Sequence, residues 1–512
     1  MRKLIRFIFS RKMLIIIILF VQVLALISAI LRLSGHFTWV YAAFTILSVI
    51  VVYVILTKNT NPAYKIAWIV PTLLLPIFGG IVYLICSTQT STQKFKKITV
   101  KRVNDTRKYF KQNKGVIDEL SHENVYVYRL AEYMKNKCGF PIYKNTAVRY
   151  IESGEKMFEI LKNELRNARH FIFMEYFIIS NGRIWGEILE ILKQKAAEGL
   201  DVRILYDGMG SQLILPDNYH KQLEKVNIKC RIFNPFKPFL SSSQNNRDHR
   251  KITVIDGHTA FNGGINLSDE YANYINRFGH WKDTALMLHG EAVWNFTIMF
   301  LQMWDTKIES VADDYNVFRP EIYHRNAFRT DGFIMPYGDV PTDGENVGKL
   351  VYMDIINKAK NYIYITTPYL IIDSEMMTAL GFAANSGIDI KIIVPGIPDK
   401  WYVHCIAQSY YKDLINIGVK IYEYTPGFIH SKSFVSDDNT AVVGTINLDY
   451  RSLFLHFECA TFMYDSKCVF DVKEDFLLTL KKCRRVDEQY LKKISPLKRL
   501  VNGFLKILGP LL

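Results

Sequence analysis

The stretch "RDHRKITVIDG", Arg247 to Gly257, sets His249, Lys251 and Asp256 against an apolar run that reads as a buried strand. Side chains alternate faces along a strand, so His249 and Lys251 point the same way. Ile252 to Ile255 then run into the core, and Asp256-Gly257 turns the chain. An imidazole beside an ammonium is a place to hold an anion. One such segment could equally be a basic strand end at a surface. The chain carries a second: "HSKSFVSDD" repeats the spacing as His430, Lys432 and Asp437, at one common offset from the first set. The same offset relates Gly263 and Asn266 of "GGIN" to Gly444 and Asn447 of "GTIN". Five chemical matches in one register identify two copies of one anion-handling unit.

The 512 residues exceed what a single core usually serves, so two or three units are expected. The net charge of +15 points to anionic partners, either nucleic acid or acidic lipid. The seven cysteines are odd in number and scattered, with no CxxC pair, which argues against a disulfide framework or a zinc site and fits a reducing compartment. Neither a P-loop nor a GxGxxG opening a helix is present. A nucleotide-driven reaction is not indicated.

The N-terminus separates lipid from nucleic acid. Residues 13–31 and 37–57 are uncharged apolar runs, each long enough to cross a hydrocarbon layer roughly 30 Å thick as a helix. A third run, 66–86, is broken by Pro71, Pro76, Gly79 and Gly80. Basic residues precede the first run (Arg2, Lys3, Arg6, Arg11, Lys12), and a cluster from Lys94 to Lys114 follows the third, opposed only by Asp105. Both ends therefore ask to be cytoplasmic. Two full spans, with the Pro-broken run lying shallow or re-entrant, satisfy both.

The repeat extends upstream of the motifs. Residues 171–207 resemble residues 362–396, each reading as a strand, a helix with apolar residues at three-and-four spacing, a Gly and a second strand. Strand-helix-strand order implies a parallel or mixed sheet with right-handed crossovers. The expected architecture is α/β: two duplicated lobes, mixed sheets flanked by helices, sharing one cleft and preceded by N-terminal transmembrane helices. The expected division is a membrane region 1–90, a basic juxtamembrane linker 91–135, a first lobe 136–308, an inter-lobe linker 309–335, a second lobe 336–494 and an amphipathic segment 495–512. In that last segment Leu497, Leu500, Val501, Phe504, Leu505 and Leu508 share one helical face, which suits either docking on a core or lying in a membrane interface.

Paired imidazoles facing an anion suit a phosphodiester. One neutral His attacks phosphorus and forms a phosphoenzyme, and the other protonates the leaving alkoxide and then deprotonates the incoming hydroxyl. Lys251 and Lys432 hold the non-bridging oxygens, with Asn266 and Asn447 donating hydrogen bonds. A carboxylate should fix each imidazole's tautomer. Glu458 in "HFECATFMYD" is the expected group in the second lobe and Asp283 in "HWKDTALML" its counterpart in the first. Neither a metal nor an organic cofactor is required, because fixed cations take that place. Asp256 and Asp437, each before a turn, are expected in a supporting role.

The doubled HxKxxxxD resembles that of the phospholipase D superfamily. "RDHRKITVIDGHTAFNGGINLSDEY", "HSKSFVSDDNTAVVGTINLDYRSLFLHFECA", "ITTPYLIID" and the hydrophobic N-terminus ending "LLLPIFGGIVYLI" are similar to bacterial cardiolipin synthases. The resemblance covers nearly the whole chain. It implies two phospholipase D-like lobes that join two phosphatidylglycerols into cardiolipin with release of glycerol, at the cytoplasmic membrane with the lobes on the cytoplasmic side. It further implies that His249 is the nucleophile and His430 the acid and base, and that anionic membrane lipid, not nucleic acid or nucleotide, is the partner. Two mild departures are Asp248, where Asn is more usual, and the pair Ser431 and Ser433 flanking Lys432. A membrane-bound phospholipase D-type hydrolase would use the same residues with water as acceptor. A nuclease fits the charge but not the apolar runs, and a non-catalytic lipid scaffold would be expected to lack a His or Lys from one motif.

Overall fold

The computed structural model describes residues 37–58, 61–74, 79–80, 83–84, 90–212, 214–235, 245–307 and 314–511. It divides into two compact units, one of residues 1–97, 236–246 and 506–512, the other of residues 98–235 and 247–505.

The larger unit holds both lobes. In the first, β1 (Thr146–Ile151), β2 (Phe171–Tyr176), β3 (Asp201–Asp207), β4 (Lys229–Phe233), β5 (Lys251–Ile255) and β6 (Thr259–Gly263) precede β7 (His280–Lys282) and β8 (Ala285–Gly290). In the second, the strands are β9 (Phe333–Asp339), β10 (Tyr362–Thr366), β11 (Asp389–Pro395), β12 (Lys420–Tyr424), β13 (Gly427–Ile429), β14 (Ser433–Ser436), β15 (Thr440–Gly444), β16 (Glu458–Tyr464) and β17 (Cys483–Val486). The first sheet runs β1-β8-β6-β5-β2-β3-β4, and the second runs β9-β16-β15-β14-β10-β11-β12 with β17 added at its edge. The same order arises twice. In both, the β2–β3–β4 and β10–β11–β12 pairings are parallel and the remainder antiparallel, so the sheets are mixed.

The helix Arg183–Ala197 forms the crossover from β2 to β3, burying Ile184, Trp185, Ile188, Ile191 and Leu192 at three-and-four spacing. The "KITVI" strand β5 is buried throughout, as a mid-sheet strand covered on both faces must be. Helix Val293–Trp304 is buried on every side, because it touches β2 and β5 of one sheet and β9 of the other. A helix apolar all round belongs in such a place. Of its two amides, Asn295 is satisfied there by the carbonyls of Pro141 and Pro336 and the hydroxyl of Tyr143, and Gln302 donates to the Thr106 hydroxyl at 2.7 Å.

Two segments expected as linkers have structure of their own. Residues 91–135 lie mostly in helices Thr90–Thr106, Lys114–Glu123 and Val125–Tyr133, the last two started by the side chains of Asn113 and Asn124, which accept from backbone amides in the first turn. Between the lobes, Tyr315–Phe318 and Pro320–Tyr323 are short helical turns. There Phe318 packs edge-on against Phe171 and Phe173, at 5.0 and 5.1 Å between ring centroids. Polar flanks hid a few apolar anchors. Strand β9 also starts at Phe333, inside the range expected to be linker.

The smaller unit contains helix Phe37–Thr57, 21 residues long, packed against helix Pro62–Leu74, which carries Pro71 inside it. Val51, Ile55 and Tyr83 form its small core. The first expected span, 13–31, lies outside the described residues. The second coincides with Phe37–Thr57, part of whose first turns has side chains outside the description. Among the described residues no helix is both long and apolar enough to cross a membrane. The C-terminal segment is a helix, Pro496–Leu508. Leu497, Leu500 and Phe504 are exposed at 72%, 73% and 60%, so its apolar face does not dock on a core. The cysteines among the described residues are free.

Candidate active site

The HxK segment of each lobe enters its central strand beside the carboxyl ends of the parallel strands: Lys251 pairs with Tyr176 at the end of β2, and Ser433 with Thr366 at the end of β10. Ligands of open α/β sheets bind at those ends. The close approach of neighbouring strands there requires glycine. A Cβ on Gly263 would stand 2.4 Å from the Thr284 carbonyl oxygen, and one on Gly444 2.4 Å from the Ala460 Cβ.

Each histidine is tied to the opposite lobe. The backbone amide of His249 donates to the Phe457 carbonyl, and that of Phe457 to the Arg247 carbonyl, both at 2.9 Å. Strand β13, just before His430, pairs in parallel with β7, and the His430 amide donates to the Lys282 carbonyl at 2.7 Å. These bridges bring Glu458 to His249 and Asp283 to His430. His249 Nδ1 lies 2.9 and 3.0 Å from the two Glu458 oxygens, and His430 Nδ1 lies 2.6 Å from Asp283 Oδ2. The carboxylates are therefore exchanged relative to expectation, since each imidazole is held by the other lobe. Both are buried and fixed in turn, Glu458 by the Thr445 hydroxyl and Asp283 by the Thr284 amide at 2.8 Å.

The lysines converge on the same place. Lys251 Nζ donates to the carbonyl of His249, and Lys432 Nζ to that of His430, with Lys432 Nζ also 2.8 Å from His430 Nδ1. Four basic groups buried together repel one another. Burial, then Lys251, Lys432 and His430, holds His249 well below the usual imidazole range. Burial and Lys432 lower His430 to about 4, although Asp283 acts in the opposite direction. Burial lowers Lys251 to about 8 and Lys432 to about 7. Asp283 is held below its usual range: burial pushes it up, but Lys432 and His430 pull it down further. Each neutral imidazole can donate Nδ1–H to its carboxylate and keep a bare Nε2. An arriving phosphodiester supplies the negative charge that this cluster lacks.

Not every expected residue is here. Asp256 and Asp437 sit at the far ends of β5 and β14. A five-residue strand carries the chain roughly 16 Å at ~3.3 Å per residue, so the HxKxxxxD spacing separates the acid from the lysine. Asp256 accepts the backbone amides of Arg169, His170 and Phe171 at 2.8–2.9 Å, and Asp437 those of Lys360, Asn361 and Tyr362 at 2.7–3.1 Å. Both adopt positive φ, 50° and 53°, a conformation Asp tolerates better than most residues. They order the starts of β2 and β10 and are not part of the reacting centre. Asn266 is likewise engaged, accepting from the Ile178 amide and donating to the Tyr271 hydroxyl. Asn447 differs, since its buried Oδ1 has no hydrogen-bond partner.

Other residues were not singled out from sequence. Buried Arg247 binds Asp207 at 2.9 Å. His456, its ring 5.5 Å from that of His249, has two buried nitrogens without hydrogen bonds. Lys400 contributes to the field on His249. It also lines a small cleft with Tyr369, His404, Tyr411 and Phe428. The Phe428 ring lies 5.7 Å from His430. Only the run "PDKWYVH" around Lys400 hinted at this, a basic and aromatic cluster with no fixed spacing to the motifs.

Comparison with known proteins agrees with this geometry. The family model described as "Cardiolipin synthase, PLD-like domain" matches residues 161–291 and 352–478, and one described as "Phospholipase_D-nuclease N-terminal" matches residues 46–87. The chain is 34% identical to a cardiolipin synthase of Halalkalibacterium halodurans over 93% of this chain and 95% of that one. It is 32% identical to a cardiolipin synthase of Alkalihalophilus pseudofirmus over 95% and 98%, and 48% identical to an uncharacterized protein of Streptococcus mutans over 87% and 96%. A solved phosphatidylserine synthase of Haemophilus influenzae shares the fold, with a TM-score of 0.57 at 15% identity, over 76% of this chain and all of that one. Two mixed sheets of one order, each presenting a His–Lys pair to the other's carboxylate, are phospholipase D-like lobes, and the chain belongs to the cardiolipin synthase family.

Proposed function

We propose that the chain transfers a phosphatidyl group from one phosphatidylglycerol to a second, forming cardiolipin and glycerol through a phosphohistidine. The observation that carries this is the crossed pair of buried imidazole–carboxylate contacts with a lysine beside each. In the first half-reaction His249 Nε2 donates its lone pair to phosphorus. His430, neutral in the empty site, takes up a proton on Nε2 when the phosphodiester's negative charge enters beside it. The P–O bond to the glycerol headgroup then breaks, and that oxygen takes this proton. In the second, now-neutral His430 accepts the proton of the incoming phosphatidylglycerol hydroxyl. The resulting oxygen attacks phosphorus, the P–N bond breaks, and His249 is restored. Lys251 and Lys432 offset charge on the non-bridging oxygens, and the amide nitrogen of Asn447 is the group assigned to donate to them. A phosphodiester replaces a phosphodiester, so no energy-rich donor is needed. His249 is assigned the attack because burial and the neighbouring lysines hold its imidazole well below the usual range, whereas at His430 Asp283 opposes the same depression.

The membrane attachment belongs to the same proposal. Spans at 13–31 and 37–57, with 66–86 shallow or re-entrant, place both basic ends on the cytoplasmic side. Exposed Trp39, Ile46, Val49, Ile50, Tyr53 and Leu56 along Phe37–Thr57 support a lipid-facing surface. The exposed apolar face of Pro496–Leu508, with Lys498, Arg499 and Lys506 off that face, suits the interface of an anionic bilayer.

The test is direct. Purified protein given vesicles of phosphatidylglycerol alone should release one glycerol per cardiolipin formed. Release of phosphatidic acid in place of cardiolipin would make water the acceptor and the chain a hydrolase.

A further inference from the structure

At the end of β5 away from the cleft, three imidazoles meet without any part in the chemistry above. His258 lies in the turn between β5 and β6, His289 on β8, and His324 just after the helical turn Pro320–Tyr323. Their ring centroids form a nearly equilateral triangle: 5.1 Å from His258 to His289, 5.3 Å from His258 to His324 and 5.1 Å from His289 to His324. One nitrogen from each ring lies within 4.8 Å of the other two, and all three residues are half-buried, so an ion can reach them.

The rings are held in this arrangement. Thr259 and His289 are cross-strand partners, and the Thr259 hydroxyl lies 3.1 Å from the Nδ1 of both His258 and His289. A polar partner on the second nitrogen of an imidazole is what orients the ring in metal-binding sites. The His324 ring is fixed by stacking on Phe328 at 4.4 Å. Three uncharged nitrogen donors exclude Mg²⁺ and Ca²⁺, which select oxygen, and favour ions that accept imidazole. Nitrogens around zinc stand roughly 3.4 Å apart at a Zn–N distance of about 2.0–2.1 Å, so each ring need move by less than about 1 Å.

We propose that His258, His289 and His324 bind one divalent transition-metal ion of the zinc type, fastening the inter-lobe segment that carries His324 to the first-lobe sheet. The fourth position is left to solvent, and the ion is remote from the reacting phosphorus. Its role is therefore to hold the segment, independent of the reaction proposed above.

The experiment uses tag-free, full-length protein in detergent, stripped of metal with a chelator and then titrated with zinc. Wild type should bind one zinc per chain at this site and unfold at higher temperature with it. His289→Ala and His324→Ala should each lose that zinc, and Thr259→Val should weaken it by about 10- to 100-fold. Cobalt substituted for zinc should show the ligand-field bands of a nitrogen-rich site in wild type and not in His324→Ala, a reading that holds whether or not a variant is less stable. Among the described residues the other group able to gather three donors is His249, His456 and Glu458, so His456→Ala serves as the control. The proposal is overturned by no zinc in wild type, by zinc retained in His324→Ala, or by zinc lost only in His456→Ala.

Discussion

The two lobes share a sheet order and a His–Lys pair but not what lies beneath it. In the first lobe His249 stands between Arg247 and Arg250, both buried to 1% exposure. Arg247 is paired with Asp207, while Arg250 donates to the Glu458 carbonyl and lies 3.9 Å from Glu175. Burial and neighbouring Asp248 hold Glu175 well above the usual carboxylate range. In the second lobe the positions at the same offset are Phe428 and Ser431, a buried ring and a buried hydroxyl, with no comparable ionic layer among the described residues. What both lobes keep is the imidazole, the ammonium and the carboxylate that reaches the imidazole from across. The chemistry constrains those three, and the space beneath accepts either an ionic layer or an aromatic ring with a small hydroxyl.

The largest effects should test the division of labour between the lobes. His249→Ala and His430→Ala should each lower turnover on phosphatidylglycerol by roughly 10⁴-fold or more, as removal of a group acting in a catalytic unit does. A phosphatidyl ester of nitrophenol needs no acid to expel its leaving group. His430→Ala should give one burst of nitrophenol from it and leave a lipid adduct on the peptide containing His249, read by mass spectrometry under alkaline handling. An adduct on His430 in the reciprocal variant alone would reverse the two roles.

Next comes the crossing. Glu458→Gln should behave as a His249 variant and abolish the burst, although Glu458 lies in the second lobe. Asp283→Asn should behave as a His430 variant and preserve it. Each should cost steady-state turnover on the order of 10⁴-fold, the effect of leaving an imidazole in the wrong tautomer. The opposite pattern in the burst would break the crossed assignment.

Smaller effects should follow from the lysines. Lys251→Ala and Lys432→Ala should each lower turnover by about 10²–10³-fold. Stability should move the other way. The folded-state value of Lys432 is depressed from 10.5 to about 7, so native stability is lost as pH falls from about 10.5 to about 7. Lys432→Met removes that loss. Its melting temperature should exceed that of wild type most clearly at and below pH 7, and the gain should fade toward pH 10. Lys251 is depressed only to about 8, so Lys251→Met should gain less. Equal or absent gains would show that the second lobe carries no greater charge strain than the first.

The smallest effect on chemistry should come from the two aspartates. Asp256→Ala and Asp437→Ala should leave the active protein's pH profile unchanged while lowering stability by about 1–3 kcal/mol each, through backbone amides left unpaired. A changed pH profile in either would return that acid to the reacting centre.

The repeat of His249, Lys251 and Gly263 at His430, Lys432 and Gly444 made the two-lobe fold legible, because equal spacing in two copies implies equal strands. Strand-helix-strand patterning gave the mixed sheets for the same reason. Glu458 and Asp283 were recognisable as buried acids near the motifs, but their partners were not. Sequence distance carries no information about a contact made across a pseudo-symmetric interface, and it favoured the wrong lobe for each. Asp256 stands close to Lys251 in the motif, yet five extended residues carry it away to a turn, where it accepts the backbone amides that start β2. Phe318 and His324 were hidden in a polar stretch whose few packing residues have no period. The Arg247–Asp207 and Arg250–Glu175 contacts depend on which strands become neighbours, and that is known only once the sheet is ordered.

The exchanged carboxylates also bear on how such a chain can change over generations. A half-chain carrying one HxK segment would have its histidine but not the acid that orients it, and would acquire that acid only by pairing with another half. Two identical halves could complete each other across a dimer, and fusion into one chain preserves the arrangement. From then on a substitution at Glu458 is felt at His249, and one at Asp283 at His430. Neither half can drift toward a separate task while the other stays active, and selection acts on the pair as a single heritable unit.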